Sequence, residues 1–340
     1  MSTLRIDNIT DRLGQSGTEV VGVCTVTSTG AFRIASGDSA HRGGRGRGVF
    51  AGGIDPAFVT TMDYIEIPST GNAVDFGDIS AAAQPRDSGS TSSTRGVFGL
   101  GNSDGEVSTM NYVTISSQGG VTDFGDMTEA LSYFGGASNN TRGFIYGGYN
   151  NPAPSINVIQ YFTIATTGNA NDFGDLLEYN RGTAGCASPT RAIAWGGYND
   201  TTSSALNTIQ YVTISTTGNA LDFGDMLATR FSGGACSSNT RGVYAGGNPS
   251  GSNVIQYITM ATLGNATDFG DSTATAAEWG GTSNNIRGVF GSANAPSAPY
   301  RFNHIDYITI ASTANAAAFG DLTTARSGAA AMGDAHGGLG

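Results

Sequence analysis

Short runs of β-branched and aromatic residues, many with polar residues at alternate positions, recur along the chain between turns rich in Gly, Asn and Ser. The stretch from residue 231 to residue 271 is representative. It predicts strands over 231–236, 242–247, 254–260 and 266–271, parted by turns such as Ser237-Ser238-Asn239-Thr240 and Leu263-Gly264-Asn265. No helical 3.6-residue period competes with this pattern. Nowhere do about 18 apolar residues follow one another, so no membrane-spanning helix is predicted.

The pattern repeats. An Arg that opens a β-prone run stands at Arg47, Arg95, Arg142, Arg191, Arg241 and Arg287, at steps of 46 to 50 residues. A Tyr follows at Tyr64, Tyr112, Tyr161, Tyr211, Tyr257 and Tyr307. Then comes Asp-Phe-Gly-Asp, beginning at Asp75, Asp123, Asp172, Asp222 and Asp268 and, in altered form, at Ala318. Each Tyr precedes that motif by 11 residues in all six units, whereas the Arg-to-Tyr interval varies from 16 to 20. Length variation is thus concentrated in one loop, between the second and third strands. Four short strands in about 48 residues is the size of a propeller blade, and such a unit buries its faces only against neighbours.

The expected fold is all-β, a six-bladed β-propeller over residues 41–340 behind a β arm over residues 1–40. The arm should hold one strand near Leu4, Ile6 and Ile9 and another from Val20 to Val26. Residues 326–332 match the first strand of the other units without a seventh blade after them, so they are expected to enter the first blade and close the ring.

A Gly-Gly pair closing the second strand, at Gly52-Gly53, Gly147-Gly148, Gly196-Gly197 and Gly246-Gly247, resembles the kelch motif. Gly99-Leu100-Gly101 and Gly291-Ser292 depart from it, and the Trp usual late in a kelch repeat is replaced by the Phe of Asp-Phe-Gly-Asp. The opening, Met1-Ser2-Thr3-Leu4-Arg5-Ile6-Asp7-Asn8-Ile9, resembles the N-terminal arms of virion structural proteins of marine tailed phages. The Thr-Arg-Gly-Val-Phe and Thr-Gly-Asn-Ala-x-Asp-Phe-Gly-Asp repeats are similar to those of the propeller or fibre modules behind such arms. The resemblance implies a non-enzymatic virion component of tail-fibre or receptor-binding type. Residues 1–40 would anchor it to other virion proteins, and the propeller would be displayed toward a host-surface glycan or receptor, or toward other subunits in a homo-oligomer. A capsid decoration protein and a glycan-acting propeller enzyme are the alternatives.

Composition narrows the chemistry. The net charge is −11, which disfavours electrostatically driven nucleic-acid binding. All 16 basic residues are Arg, which removes Schiff-base lysines and a P-loop lysine. Three His and three Cys without metal-ligand spacing predict neither a zinc site nor a copper centre, and no cofactor is expected. Charges near Met1 stand where a signal peptide needs an apolar stretch, so no classical secretion is expected. His41 to Gly48, with its Arg-Gly pairs, reads as a linker between arm and propeller.

Two sets of residues are candidates for roles. The repeated Arg95, Arg142, Arg191, Arg241 and Arg287 are expected to bond the carboxylates of Asp123, Asp172, Asp222 and Asp268 in a structural network. The variable loops carry Tyr149, Asn150, Tyr198, Asn199, Asp200, Tyr300 and Arg301, which suit contacts to a receptor or sugar. Strands alternate in direction, so these loops share one face with the crossovers between blades.

Overall fold

The computed structural model describes residues 46–339 except 87, 152, 153, 298 and 299, together with four residues further upstream. Six antiparallel four-stranded sheets form the blades of a six-bladed β-propeller. In the fifth blade the strands run Gly234–Ser237, Arg241–Ala245, Ser252–Thr259 and Thr267–Ala276, from the axis outward, close to the expected spans. The first blade is completed from the far end of the sequence. Ala330–Gly333 pairs with Arg47–Ala51, with Ala330 opposite Ala51 and Met332 opposite Val49, and closes the ring as expected.

The expected arm lies outside the described residues, apart from an antiparallel pairing of Glu19–Val20 with Cys24–Thr25. Val20 faces Cys24, so these two residues, expected within one strand from Val20 to Val26, stand on two paired strands.

The innermost strands explain the glycine content. They converge on the axis, and a Cβ added to Gly136 would lie 2.7 Å from the Ser88 carbonyl oxygen. Larger residues are accommodated farther out. The Phe of each Asp-Phe-Gly-Asp motif is buried between blades, at most 4% exposed, each burial contributing roughly 1.5–3 kcal/mol. Phe173, for example, packs on Tyr161 of its own blade, ring centroids 5.6 Å apart, and joins Val212, Ile214 and Ala220 of the next.

The remaining letters of that motif have structural causes too. The turn after the third strand of one blade adds to the outer strand of the blade before it. Gly168 and Ala170 donate backbone N–H bonds of 2.8 Å to the carbonyls of Phe124 and Asp126. Gly125 must be Gly there, since its φ is +138° and a Cβ would lie 2.6 Å from the Gly168 carbonyl. A second tie comes from a buried polar residue on each third strand. The Gln160, Gln210 and Gln256 side chains each accept a 2.8 Å bond from a backbone amide of the preceding blade, at Thr128 and Leu177 on its outer strand and at Leu227 just beyond it.

The two ends of the axis differ. Beyond Gly333 the chain turns across one end, where His336 contacts the Thr91 carbonyl (3.1 Å) and Ser138 Oγ (3.3 Å). Above it lies a cavity of about 40 Å³, lined in part by Thr91, Ser138, Cys186, Cys236 and Thr282. The other end carries the variable loops and the blade-to-blade crossovers.

Candidate binding face at the propeller axis

Nine residues before Arg95, Arg142, Arg191, Arg241 and Arg287 stand residues that differ in kind, Arg86, Tyr133, Gly182, Ser232 and Glu278, and Gly328 holds the same place ahead of the closing strand as the sixth. Here the chain crosses from the outer strand of one blade to the axis of the next. All six residues have left-handed backbone, with φ values of 52°, 57°, 63°, 52°, 58° and 67° in the order named. A chain of backbone bonds around the axis holds them there. Gly182 donates to the Tyr133 carbonyl (2.5 Å), Ser232 to Gly182 (2.6 Å), Glu278 to Ser232 (2.6 Å), Gly328 to Glu278 (3.2 Å) and Arg86 to Gly328 (2.9 Å). Glycine adopts this conformation at little cost, whereas other residues lose about 1–3 kcal/mol each. Four of the six are nonetheless not glycine, and strain retained in this way concentrates at functional sites.

Their side chains interact across the axis. Arg86 Nη1 lies 3.0 Å from Glu278 Oε1. Glu278 Oε2 also accepts from Ser327 Oγ (2.9 Å) and Gln84 Nε2 (3.2 Å). The Arg86 guanidinium lies over the Tyr133 ring, 3.8 Å from its centroid. Burial, the largest effect on both charged groups, opposes ionisation, but the contacts between them outweigh it. Arg86 is pushed up, and Glu278 is held below its ordinary value by Arg86, by the Ser327 bond and by nearby Arg301. An enclosed space of about 10 Å³, room for about one water, lies beside the pair.

Arg181, the residue before Gly182, extends this cluster. Its guanidinium lies 4.8 Å from the Tyr198 ring centroid, 5.4 Å from that of Tyr133 and 5.8 Å from that of Tyr149. Its Nε bonds both carboxylate oxygens of Asp200, at 2.8 and 3.0 Å. Backbone bridges explain the meeting: Ser132 pairs with Tyr149 and Arg181 pairs with Tyr198, which brings two loop ends beside one crossover.

Of the loop residues singled out from the sequence, Tyr149, Tyr198 and Asp200 therefore converge. Asn150 turns toward the outer strand of the preceding blade, where Nδ2 donates to Glu129 Oε2 at 2.6 Å. Asn199 is buried, and its Oδ1 accepts from the Thr201 and Thr202 amides, so it secures its own turn rather than facing a ligand. Tyr300 is exposed, and Arg301 has a buried Nε without a hydrogen-bond partner.

The repeated Arg residues do not bond the expected carboxylates. Arg95, Arg142, Arg191, Arg241 and Arg287 each donate through Nη1 to a backbone carbonyl, of Ile164, Ile214, Met260, Ile310 and Ile67 in turn, at 2.6–3.2 Å. Each also lies 4.3–5.0 Å from the centroid of its blade's Tyr. The reason is radial. The Arg opens the second strand from the axis, whereas Asp123, Asp172, Asp222 and Asp268 sit exposed on the outermost strand. Among the described residues no group of three or more His, Cys, Asp or Glu is gathered as metal ligands.

Arg86, Tyr133, Arg181 and Glu278 were not singled out from the sequence. Aligning the units nine residues ahead of the Arg marker exposes the first, second and fourth as breaks in an otherwise repeating chain.

No protein family matches this chain, and no curated protein does. Many solved structures resemble it. YjhT superimposes with a TM-score of 0.59 at 10% identity, covering 73% of this chain and 87% of that one. The two share a fold. At that identity the likeness carries nothing further.

Proposed function

We propose that the chain is a non-enzymatic structural component of a tailed-phage virion, anchored through residues 1–40, with its propeller presenting the axial face to a host surface or to neighbouring subunits. The observation that carries this reading is the concentration of non-repeating side chains on one face of a repeating scaffold. The opposite face is near-uniform in its loops and is closed over the axis by the chain's own residues 334–339. A display module needs one variable face and one constant one. Asp200 and Glu278, the carboxylates that bond the arginines of the axial cluster, are both engaged by guanidinium groups, which favours a contact surface over a glycan-cleaving pair of free acids. The resemblance of the opening and of the repeats to virion arms and modules sets the context.

Cryo-EM of native particles, with the density for this chain located, tests the proposal. A truncation beginning at Gly43 should remain folded and fail to join particles. A truncated chain that assembles as well as the full one, or particles that lack the chain, would overturn the reading. An axial face buried against the particle would leave the decoration role and remove the display role.

A further inference from the structure

We infer that the axial face holds a binding site for a carboxylate-bearing saccharide, with the guanidinium of Arg181 as its anchor. The inference deepens the display reading and rests on it only for the identity of the surface that carries the sugar.

Arg181 leaves part of its guanidinium unused. Asp200 takes Nε, and neither terminal nitrogen has a hydrogen-bond partner among the described residues. The side chain is 23% exposed, so this end reaches solvent. A guanidinium held through Nε presents Nη1 and Nη2 as a fixed pair of parallel donors, which matches the two oxygens of a carboxylate. The plane of the fork is set before any ligand arrives, by the Asp200 bonds and by the rings of Tyr133, Tyr149 and Tyr198 around it. Such preorganisation reduces the ordering cost of binding.

The surroundings select among anions. Charge alone does not separate a phosphate dianion from a carboxylate, since the second charge doubles the attraction to Arg181 as well as the repulsion from Asp200; the rings beside the fork make the distinction. Glu278 is already paired with Arg86, and Arg301 near it has no ion-pair partner among the described residues. The electrostatic balance of the face therefore tolerates one added negative charge. Tyrosines beside the fork supply ring edges and hydroxyls that suit the C–H faces and hydroxyls of a pyranose, and Tyr300 stands exposed on the same face, 59% accessible. A small free carboxylate would use the fork alone, whereas a sugar acid uses fork and rings together.

The test is calorimetric titration of the full chain with a glucuronate-containing oligosaccharide and with its neutral glucose counterpart. Binding of the acidic sugar at least tenfold tighter than the neutral one is expected. Arg181→Lys keeps the charge but removes the fork, and should weaken the acidic sugar at least tenfold while leaving the melting temperature within a few degrees. Arg241→Lys, on the opposite face, should leave binding unchanged. Equal affinity for both sugars, no binding of either at millimolar concentration, or unaltered binding by Arg181→Lys would each overturn the inference. Should Arg181→Lys fail to fold, Tyr198→Ala reads the same site, and unaltered acidic-sugar binding there would overturn it too. Host-cell adsorption by the full chain without uronate binding would defeat the sugar assignment and spare the display reading, while uronate binding by a chain absent from particles would do the reverse.

Discussion

Arg326 and Asp63 form an ion pair, 2.8 Å from Nη1 to Oδ2, in which both side chains are wholly shut off from solvent. They join the last blade to the first. Asp63 occupies the third-strand position filled by Gln160, Gln210 and Gln256 in the third to fifth blades and by Asp306 in the sixth, and it accepts from the Thr323 amide and hydroxyl as Asp306 accepts from those of Thr273. Only at the closure does an Arg enter the arrangement, with Nε donating to the Gly52 carbonyl at 2.9 Å.

Removing one partner of this pair strands a buried charge. Arg326→Ala is expected to lower stability by about 3–5 kcal/mol, read from denaturant unfolding. The double change Arg326→Met with Asp63→Leu should recover much of that loss, since the cost arises from the unpaired charge and not from the absence of the pair. A single variant as stable as the parent would contradict the account.

The Gly of Asp-Phe-Gly-Asp offers a sharper structural test. Gly174 has φ of +148°, and a Cβ there would lie 2.5 Å from the Gly218 carbonyl oxygen of the next blade. Gly174→Ala should cost on the order of 2 kcal/mol, because both the backbone and the close approach oppose it. Gly71→Ala is the control: nothing lies within 4 Å of its added Cβ, and thermal melts should coincide with those of the parent.

His336 gives stability a pH dependence. Burial at the closed end of the axis lowers it from 6.5 to about 4, partly offset by its contact with the Thr91 carbonyl. Between those values the unfolded chain binds the proton and the folded chain does not. This contribution is therefore fully present above about pH 6.5 and drains away as pH falls toward 4, by up to about 3 kcal/mol. His336→Asn should flatten the dependence of the urea midpoint on pH across that interval.

The two propeller cysteines, Cys186 and Cys236, should be inert. Burial pushes the Cys186 thiol up to about 12 and raises Cys236 as well. Mass spectrometry after treatment with an alkylating reagent at pH 8 should find neither modified in the native protein and both modified in denaturant.

Much of this architecture was legible in the chain. Regular spacing of Arg, Tyr and Asp-Phe-Gly-Asp carries the blade count because each unit must present the same interlocking faces to its neighbours. The unpaired strand over residues 326–332 carries the closure, because an unmatched repeat fragment needs an open edge. The partners of Arg95 and its equivalents were not legible. Spacing along a strand fixes height in the blade but not distance from the axis, so a matched Arg and Asp ended two strands apart. Nor was the pairing of Arg86 with Glu278, which belong to the first and fifth crossovers and meet only because the ring curves. Tyr149 and Tyr198 could be found because the loops that hold them vary, whereas Arg181 lies in a segment of constant length and draws no notice.

The pairing of Ala330–Gly333 with Arg47–Ala51 fixes an order of events during synthesis. The first blade to leave the ribosome is the last to be finished. Until the closing strand is released, Arg47–Ala51 keeps an unpaired inner edge, and the curved stack of blades has two unmatched ends. A message broken or a ribosome stalled late in translation would therefore yield a product that holds most of the folded mass yet is open to pairing with any strand nearby. Emergence of Ala330–Gly333 acts as the latch, so only chains made past that point become inert, closed rings.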